Sequence, residues 1–157
     1  MVNVMWWLLF LSITVLVGID QALKYFASAT LKFAGEITII PNLLDLTYVE
    51  NRGAAFGMFQ NQRWFFIVFA VVMIAAFIYQ IKIRKKTDKM FLIAAVLVIS
   101  GGIGNLIDRF VFGYVIDYIK LSFFTPVCNF ADYCITFGAV ILIVYMFFYG
   151  NDVKNRS

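Results

Sequence analysis

The chain alternates long apolar runs with short polar stretches, and the runs set its architecture. Four of them carry no formal charge: Val4 to Ile19, Trp64 to Ile81, Met90 to Ile107 and Tyr133 to Gly150. At about 1.5 Å per residue a helix over each covers roughly 24–27 Å before its flanking turns, against a hydrocarbon core of about 30 Å. The pattern therefore predicts four transmembrane helices. Between the first and second runs the periodicity changes. Thr30 to Arg63 contains Ile37-Thr38-Ile39, a Pro41-Asn42 turn signal, and the alternating stretch Leu44-Asp45-Leu46-Thr47-Tyr48-Val49, which together predict short strands. Between the third and fourth runs, within Phe110 to Asn129, Tyr114-Val115-Ile116-Asp117-Tyr118-Ile119 alternates as well. That spacing predicts a strand with Asp117 on one face and both tyrosines on the other. Strands at a membrane surface must satisfy their own backbone, so these segments are expected to pack on the helix ends. The fold class expected is an all-α membrane protein with a small extracytoplasmic β element. A single domain spans 1–157, with the β-containing segment at about 30–63 and a second external loop at about 110–129.

Composition agrees with the pattern. Of the 157 residues 63% are hydrophobic and 14% charged, well above the apolar share of about 45–50% in soluble domains. The connection between the second and third runs holds Lys82, Arg84, Lys85, Lys86 and Lys89 against one acid, Asp88, and the tail adds Lys154 and Arg156. The positive-inside rule places both, and hence both termini, in the cytoplasm. The formal net charge of +4 is thus topological, and no nucleic-acid partner is expected. The first run is expected to be an anchor and not a cleaved leader: no Lys or Arg precedes it, and Asp20 and Lys24 stand between it and the small-residue stretch Ala27-Ser28-Ala29. Cys128 and Cys134 lie six apart at a helix start, a spacing unfavourable for a disulfide. They read as apolar filler, and no Cys/His metal-ligand spacing exists.

The polar residues within and beside the spans converge on one level. Asp20 and Lys24, at the outer end of the first helix, are spaced to pair on one face. Asn105, Asp108 and Arg109 close the third helix, Asn129 and Asp132 open the fourth, and Asn51, Arg52 and Asp117 lie in the two external connections. The cytoplasmic half is nearly bare of such groups, with Gln80 the main exception. Asp20 with Lys24 and Asp108 with Arg109 suit structural ion pairs. Asp117 and Asp132 lack such partners: Lys120, three after Asp117, is the lone basic residue at helical spacing from either.

The chain contains no histidine, and neither a Ser–Lys nor a Cys–His pair is evident in the outer layer, so a triad-type nucleophile has little to activate it. Two carboxylates sharing a proton need no further group. One takes a proton from water while the other hydrogen-bonds a carbonyl, and close approach drives their pKa values apart. The residues alone point to a water-activating site at the outer interface. A small proton-coupled transporter and a non-catalytic lipopeptide-binding module remain open alternatives.

At these residues the chain resembles the lipoprotein signal peptidases, the signal peptidase II family. The matching pieces are Asp20-Gln21-x-x-Lys24, Asn51-Arg52-Gly53-Ala54-Ala55-Phe56-Gly57, Gly101-Gly102-x-Gly104-Asn105-x-x-Asp108-Arg109, Gly113-x-Val115-x-Asp117 and Asn129-x-Ala131-Asp132-x-x-Ile135. Cys128 departs from the family, which more often has Phe there. The resemblance implies an aspartic endopeptidase of the bacterial inner (cytoplasmic) membrane, active at its extracytoplasmic face. It would cleave prolipoprotein signal peptides on the N-terminal side of a diacylglyceryl-modified cysteine. The resemblance makes Asp117 and Asp132 catalytic, and Asp20, Lys24, Asn51, Arg52, Gly53, Asn105, Asp108, Arg109 and Asn129 substrate-binding or site-organising. It implies no cofactor or metal, contact with membrane lipid, a monomer, and inhibition by globomycin-type cyclic peptides. Phe56, Phe110, Phe112 and Phe130 are candidates for lipid contact, though aromatics at an interface more often pack or anchor. Gly53 and Gly57 suit a bending loop, and Gly101, Gly102 and Gly104 close helix packing.

Overall fold

A computed structural model describes residues 2–53, 58–83 and 88–154. Ala54, Ala55, Phe56 and Gly57 of the first external loop lie outside the described residues, as do Arg84, Lys85, Lys86 and Arg156 of the basic segments. Four helices form: α1 (Val2–Ala34), α2 (Arg63–Ile83), α3 (Lys89–Val111) and α4 (Phe130–Lys154). Each contains a stretch long and apolar enough to cross a membrane. Outside them lie β1 (Ile37–Ile40), β2 (Leu44–Asn51), β3 (Val115–Leu121) and β4 (Phe124–Cys128). The strands make one antiparallel sheet in the order β1-β2-β3-β4.

α3 is the central helix, against which α1, α2 and α4 all pack. Away from the sheet the bundle is filled by Phe77, Ile81, Phe91, Ala95, Ile99 and Tyr145, with Met5, Trp6, Leu9 and Ile13 of α1 against them. Tyr145 Oη donates to Asp88 Oδ2 at 2.9 Å, tying α4 to the start of α3. Gln80, expected as the polar exception at this end, is exposed on α2.

The first helix runs farther than its charge-free stretch. With 33 residues, α1 is about 50 Å long and outreaches the hydrocarbon, so the segment expected to begin an irregular connector at Thr30 is still helical. The extension buries Ala27 and Leu31 against Ile116 and Tyr118 of β3. It stops where Gly35 adopts φ +77°, a left-handed conformation favouring glycine. The expected strands over 37–39, 44–49 and 114–119 are present, and Asn42, in the β1–β2 turn, takes φ 60°. β4 is an element the pattern did not predict. The alternation along β3 holds: Ile116 and Tyr118 face α1, while Val115 and Asp117 face a cleft between the helices and the sheet.

Candidate active site

The N-terminus of α4 organises the polar residues. Asn129 precedes the helix, and its Oδ1 accepts the N–H of Asp132 at 3.0 Å, while Asp132 Oδ2 accepts the N–H of Asn129 at 3.1 Å. This reciprocal capping box satisfies two free N–H groups of the first turn and fixes the Asp132 carboxylate. Another first-turn donor, Ala131 N–H, is taken by Asp20 Oδ1 at 3.0 Å. Acids gather here because the helix start presents unpaired N–H groups and a positive dipole end.

Two asparagine amides connect the acids. Asn129 Nδ2 donates to Asp117 Oδ1 at 2.6 Å and to Asn105 Oδ1 at 3.2 Å, and Asn105 Nδ2 donates to Asp132 Oδ1 at 2.8 Å. From the sheet, Asn51 Nδ2 donates to Asp117 Oδ2 at 2.8 Å. The register explains that contact: Val49 lies opposite Asp117 and Asn51 opposite Val115, which makes Asn51 a diagonal neighbour of Asp117 on one face. Both oxygens of each carboxylate are therefore engaged by N–H donors. Asp117 is 2% exposed, and burial first, then the nearby charge of Asp132, pushes its pKa up to about 7.

Behind this layer lies a second, fully buried one. Lys24 Nζ reaches Asp20 Oδ2 at 2.9 Å, Asp108 Oδ2 at 3.0 Å and Asn105 Oδ1 at 3.0 Å. All three ammonium protons find acceptors, which a cation excluded from water requires. By accepting from Lys24, the oxygen of Asn105 leaves its amide nitrogen to face Asp132. Asp108 Oδ2 also accepts Ile116 N–H at 3.0 Å, anchoring β3 to α3. The ion pair expected between Asp108 and Arg109 does not form. Successive residues on a helix point about 100° apart, and Asp108 turns to α1 while Arg109 turns to the cleft. There Arg109 donates to Gly53 O at 3.3 Å and its guanidinium lies 4.5 Å from the Phe66 ring centroid. Gly53 N–H in turn donates to Asn51 Oδ1 at 2.9 Å.

The cleft has a volume of about 550 Å³ and is lined by Asn51, Gly53, Asn105, Arg109, Asp117 and Asp132 at its polar end. Of the sequence-predicted residues, Asp20, Lys24, Asp108 and Asn129 support that lining from behind. Arg52 lies apart, pairing with Glu50 at 3.4 Å and covering the Tyr114 ring. Gln21, part of the Asp20-Gln21-x-x-Lys24 motif but assigned no role from sequence, directs its Nε2 to Asp20 Oδ2, Gly104 O and Asp108 Oδ1 at 3.1–3.2 Å. Its signal was its place in that motif, as a lone amide next to Asp20 within a helix. Phe110 and Phe112 are exposed, as interfacial anchors are, and Phe130 is half-buried. Both cysteines are free, and burial pushes the Cys128 thiol up to about 11. Among the described residues no three His, Cys, Asp or Glu side chains converge in a way that suits a metal ion.

Four membrane-length helices closed at one end by a sheet, with buried carboxylates at a cleft between them, define a membrane protein with a polar site at one end of its bundle. Comparison with known proteins gives the family. The model described as signal peptidase (SPase) II matches residues 12–148. The lipoprotein signal peptidase of Caldanaerobacter subterraneus subsp. tengcongensis is 45% identical over 134 residues, covering 85% of this chain and 92% of the relative. That of Clostridioides difficile is 40% identical over 147 residues, covering 93% and 97%. Among solved structures, a bacterial membrane enzyme determined by the in meso method at 2.3 Å superposes with a TM-score of 0.83 at 28% identity, covering 95% of this chain and 91% of the other. The chain belongs to the signal peptidase II family and is a membrane peptidase.

Proposed function

We propose that this peptidase removes the signal peptides of diacylglyceryl-modified bacterial prolipoproteins, cutting on the N-terminal side of the lipidated cysteine, with Asp117 and Asp132 as the catalytic pair. The observation that carries this is the shared cleft: both acids line one cavity, cross-linked through Asn129 and Asn105, with apolar walls below them. In the proposed mechanism the pair holds one proton, carried at rest by the buried Asp117. Asp132 takes a proton from water as the water oxygen attacks the scissile carbonyl, and Asp117 hydrogen-bonds the carbonyl oxygen. Asp117 passes its proton to the carbonyl oxygen as the tetrahedral diol forms, and on collapse Asp132 gives its proton to the departing cysteine nitrogen while Asp117 recovers one from a diol hydroxyl, restoring the one-proton pair. Asn51, Asn105 and Asn129 hold the carboxylates, Lys24, Asp20 and Asp108 hold Asn105 and β3, Arg109 holds Gly53 at the cleft, and Arg52 braces the end of β2 through Glu50 and Tyr114.

The location follows from the same reading. Lys82 and Lys89 lie at the end of the bundle away from the sheet, so the positive-inside rule puts the acids at the extracytoplasmic face of the bacterial inner membrane. There a lipid-modified substrate has its acyl chains in the membrane and its peptide bond at the interface. A monomer suffices, since one chain supplies every group. A globomycin-type cyclic peptide would compete for the cleft. The apolar filling of the opposite half of the bundle favours hydrolysis over a proton path through the membrane. The test is in vitro cleavage of a lipid-modified and an unmodified prolipoprotein. The reading predicts a product beginning at the lipidated cysteine, from the modified substrate alone; indifference to the lipid, or proton uptake without cleavage, would refute it.

A further inference from the structure

We infer that the hydroxyl of Thr136 recognises an ester carbonyl of the diacylglyceryl group, so that this peptidase distinguishes ester-linked from ether-linked acyl chains; the inference rests on the function proposed above. Below the acids the cleft is walled by Phe69 and Met73 of α2, Val98 and Gly102 of α3, and Ile135 of α4. Thr136 lines the cleft beside Ile135, and Tyr133 is the other hydroxyl-bearing residue of the lining. Thr136 stands four residues after Asp132, on the same face of α4 and about 6 Å deeper along the helix.

Its hydrogen bonding sets Thr136 apart. The other two threonines in described helices satisfy themselves locally: Thr14 Oγ1 donates to Phe10 O at 2.9 Å and Thr30 Oγ1 to Phe26 O at 2.5 Å, each to the carbonyl four residues earlier. That is the usual resort of a hydroxyl in a helix without a better acceptor. Among the described residues Thr136 has no hydrogen-bond partner, although the carbonyl of Asp132 is available at the same spacing. Thr136 is an exposed residue of the cleft lining, and a hydroxyl among apolar neighbours gains most from an acceptor that the ligand brings.

The proposed substrate brings acceptors of the right kind to the right depth. A diacylglyceryl group offers two ester carbonyls and no donor. The nearer carbonyl is about seven bonds of ~1.5 Å from the scissile nitrogen, a contour of roughly 10 Å that spans the offset between Asp132 and Thr136 with a bend to spare. An ether-linked chain has the same length and apolar character but lacks the carbonyl.

The test uses two synthetic prolipoprotein peptides, identical except for ester or ether linkage of the chains, with wild type, Thr136→Val and Thr136→Ser. Wild type is expected to favour the ester by about three- to tenfold in kcat/KM, expressed in KM, in line with hydrogen bonds measured inside membranes. Thr136→Val keeps the shape, so it should cleave the ether peptide as wild type does and lose the preference; Thr136→Ser should keep it. A preference unchanged in Thr136→Val, or absent in wild type that cleaves both peptides, overturns the Thr136 assignment alone. A wild type that cleaves neither peptide overturns the proposed function and this assignment with it.

Discussion

Replacing Asp117 with asparagine should remove one pH dependence of stability, so that the variant is the less stable protein at low pH and the more stable one at high pH. The carboxyl is almost wholly buried, and its pKa is pushed from 3.8 to about 7, by burial first and then by Asp132. A rise of about three units at ~1.36 kcal/mol each corresponds to about 4 kcal/mol. Because the folded-state value is the higher one, this contribution is fully present below about pH 4, and it is lost as pH rises to about 7. The asparagine variant lacks that loss but carries a different cost. Asp117 accepts from Asn51 at 2.8 Å and from Asn129 at 2.6 Å, one on each oxygen. An amide has a single acceptor oxygen, so one donor would face a donor, at about 1–3 kcal/mol. The variant should thus be less stable than wild type by about 1–3 kcal/mol at pH 4 and more stable by about the same amount at pH 8. Unfolding of both proteins in one detergent from pH 4 to 8 measures the difference, in which the carboxylates other than Asp132 largely cancel. A constant offset, with no crossing of the curves, would refute the claim that Asp117 carries a burial-raised proton.

Further substitutions probe the support of the site. A Cβ on Gly101 would fall on the Ala131 carbonyl oxygen, and one on Gly104 on the Asp20 carboxylate, whereas at Gly102 it would meet Ile74 at an ordinary 3.6 Å. Gly101→Ala and Gly104→Ala should therefore lower stability by about 1–3 kcal/mol and reduce cleavage, with Gly102→Ala near wild type in both assays. Asn129→Ala breaks the capping box, worth about 1 kcal/mol, and removes the amide shared by Asp117 and Asn105. Its cleavage rate should fall far more than its unfolding temperature, and parallel losses would contradict a role in holding the acids. Cys128→Ala and Cys134→Ala should keep turnover, since the Cys128 thiol stays protonated near neutral pH, and chelators should leave it unchanged; inhibition in these assays would indicate thiol or metal chemistry.

The spans, the first three strands and the level of the polar residues were legible because each leaves a periodic or compositional trace. What escaped did so for local physical reasons. Charge-free length measures the part of a helix that meets lipid; that run stops at Ile19 and the first helix was expected to close near Lys24, while Ala27 and Leu31 carry α1 onward by packing on the sheet. Pro126 argues against a strand interior, yet β4 pairs with β3 alone at the edge of the sheet, where one missing N–H is tolerated. Adjacent opposite charges suggested Asp108 with Arg109, but helical geometry turns them about 100° apart, and the partner of Asp108 is Lys24, distant in sequence. That Asp117 and Asp132 come together in one cleft was expected from their lack of ionic partners and from motif order. That Asn129 and Asn105 link them was not, because an asparagine at a helix start reads equally well as a simple cap.

The central claim is that Asp117 and Asp132 together activate water. The most direct measurement is single-turnover cleavage of a diacylglyceryl prolipoprotein by wild type, Asp117→Asn and Asp132→Asn, each first shown by thermal unfolding to be folded. The account predicts that both variants bind the substrate but cleave it at least about 10³-fold more slowly than wild type. Cleavage near the wild-type rate by either folded variant would contradict it.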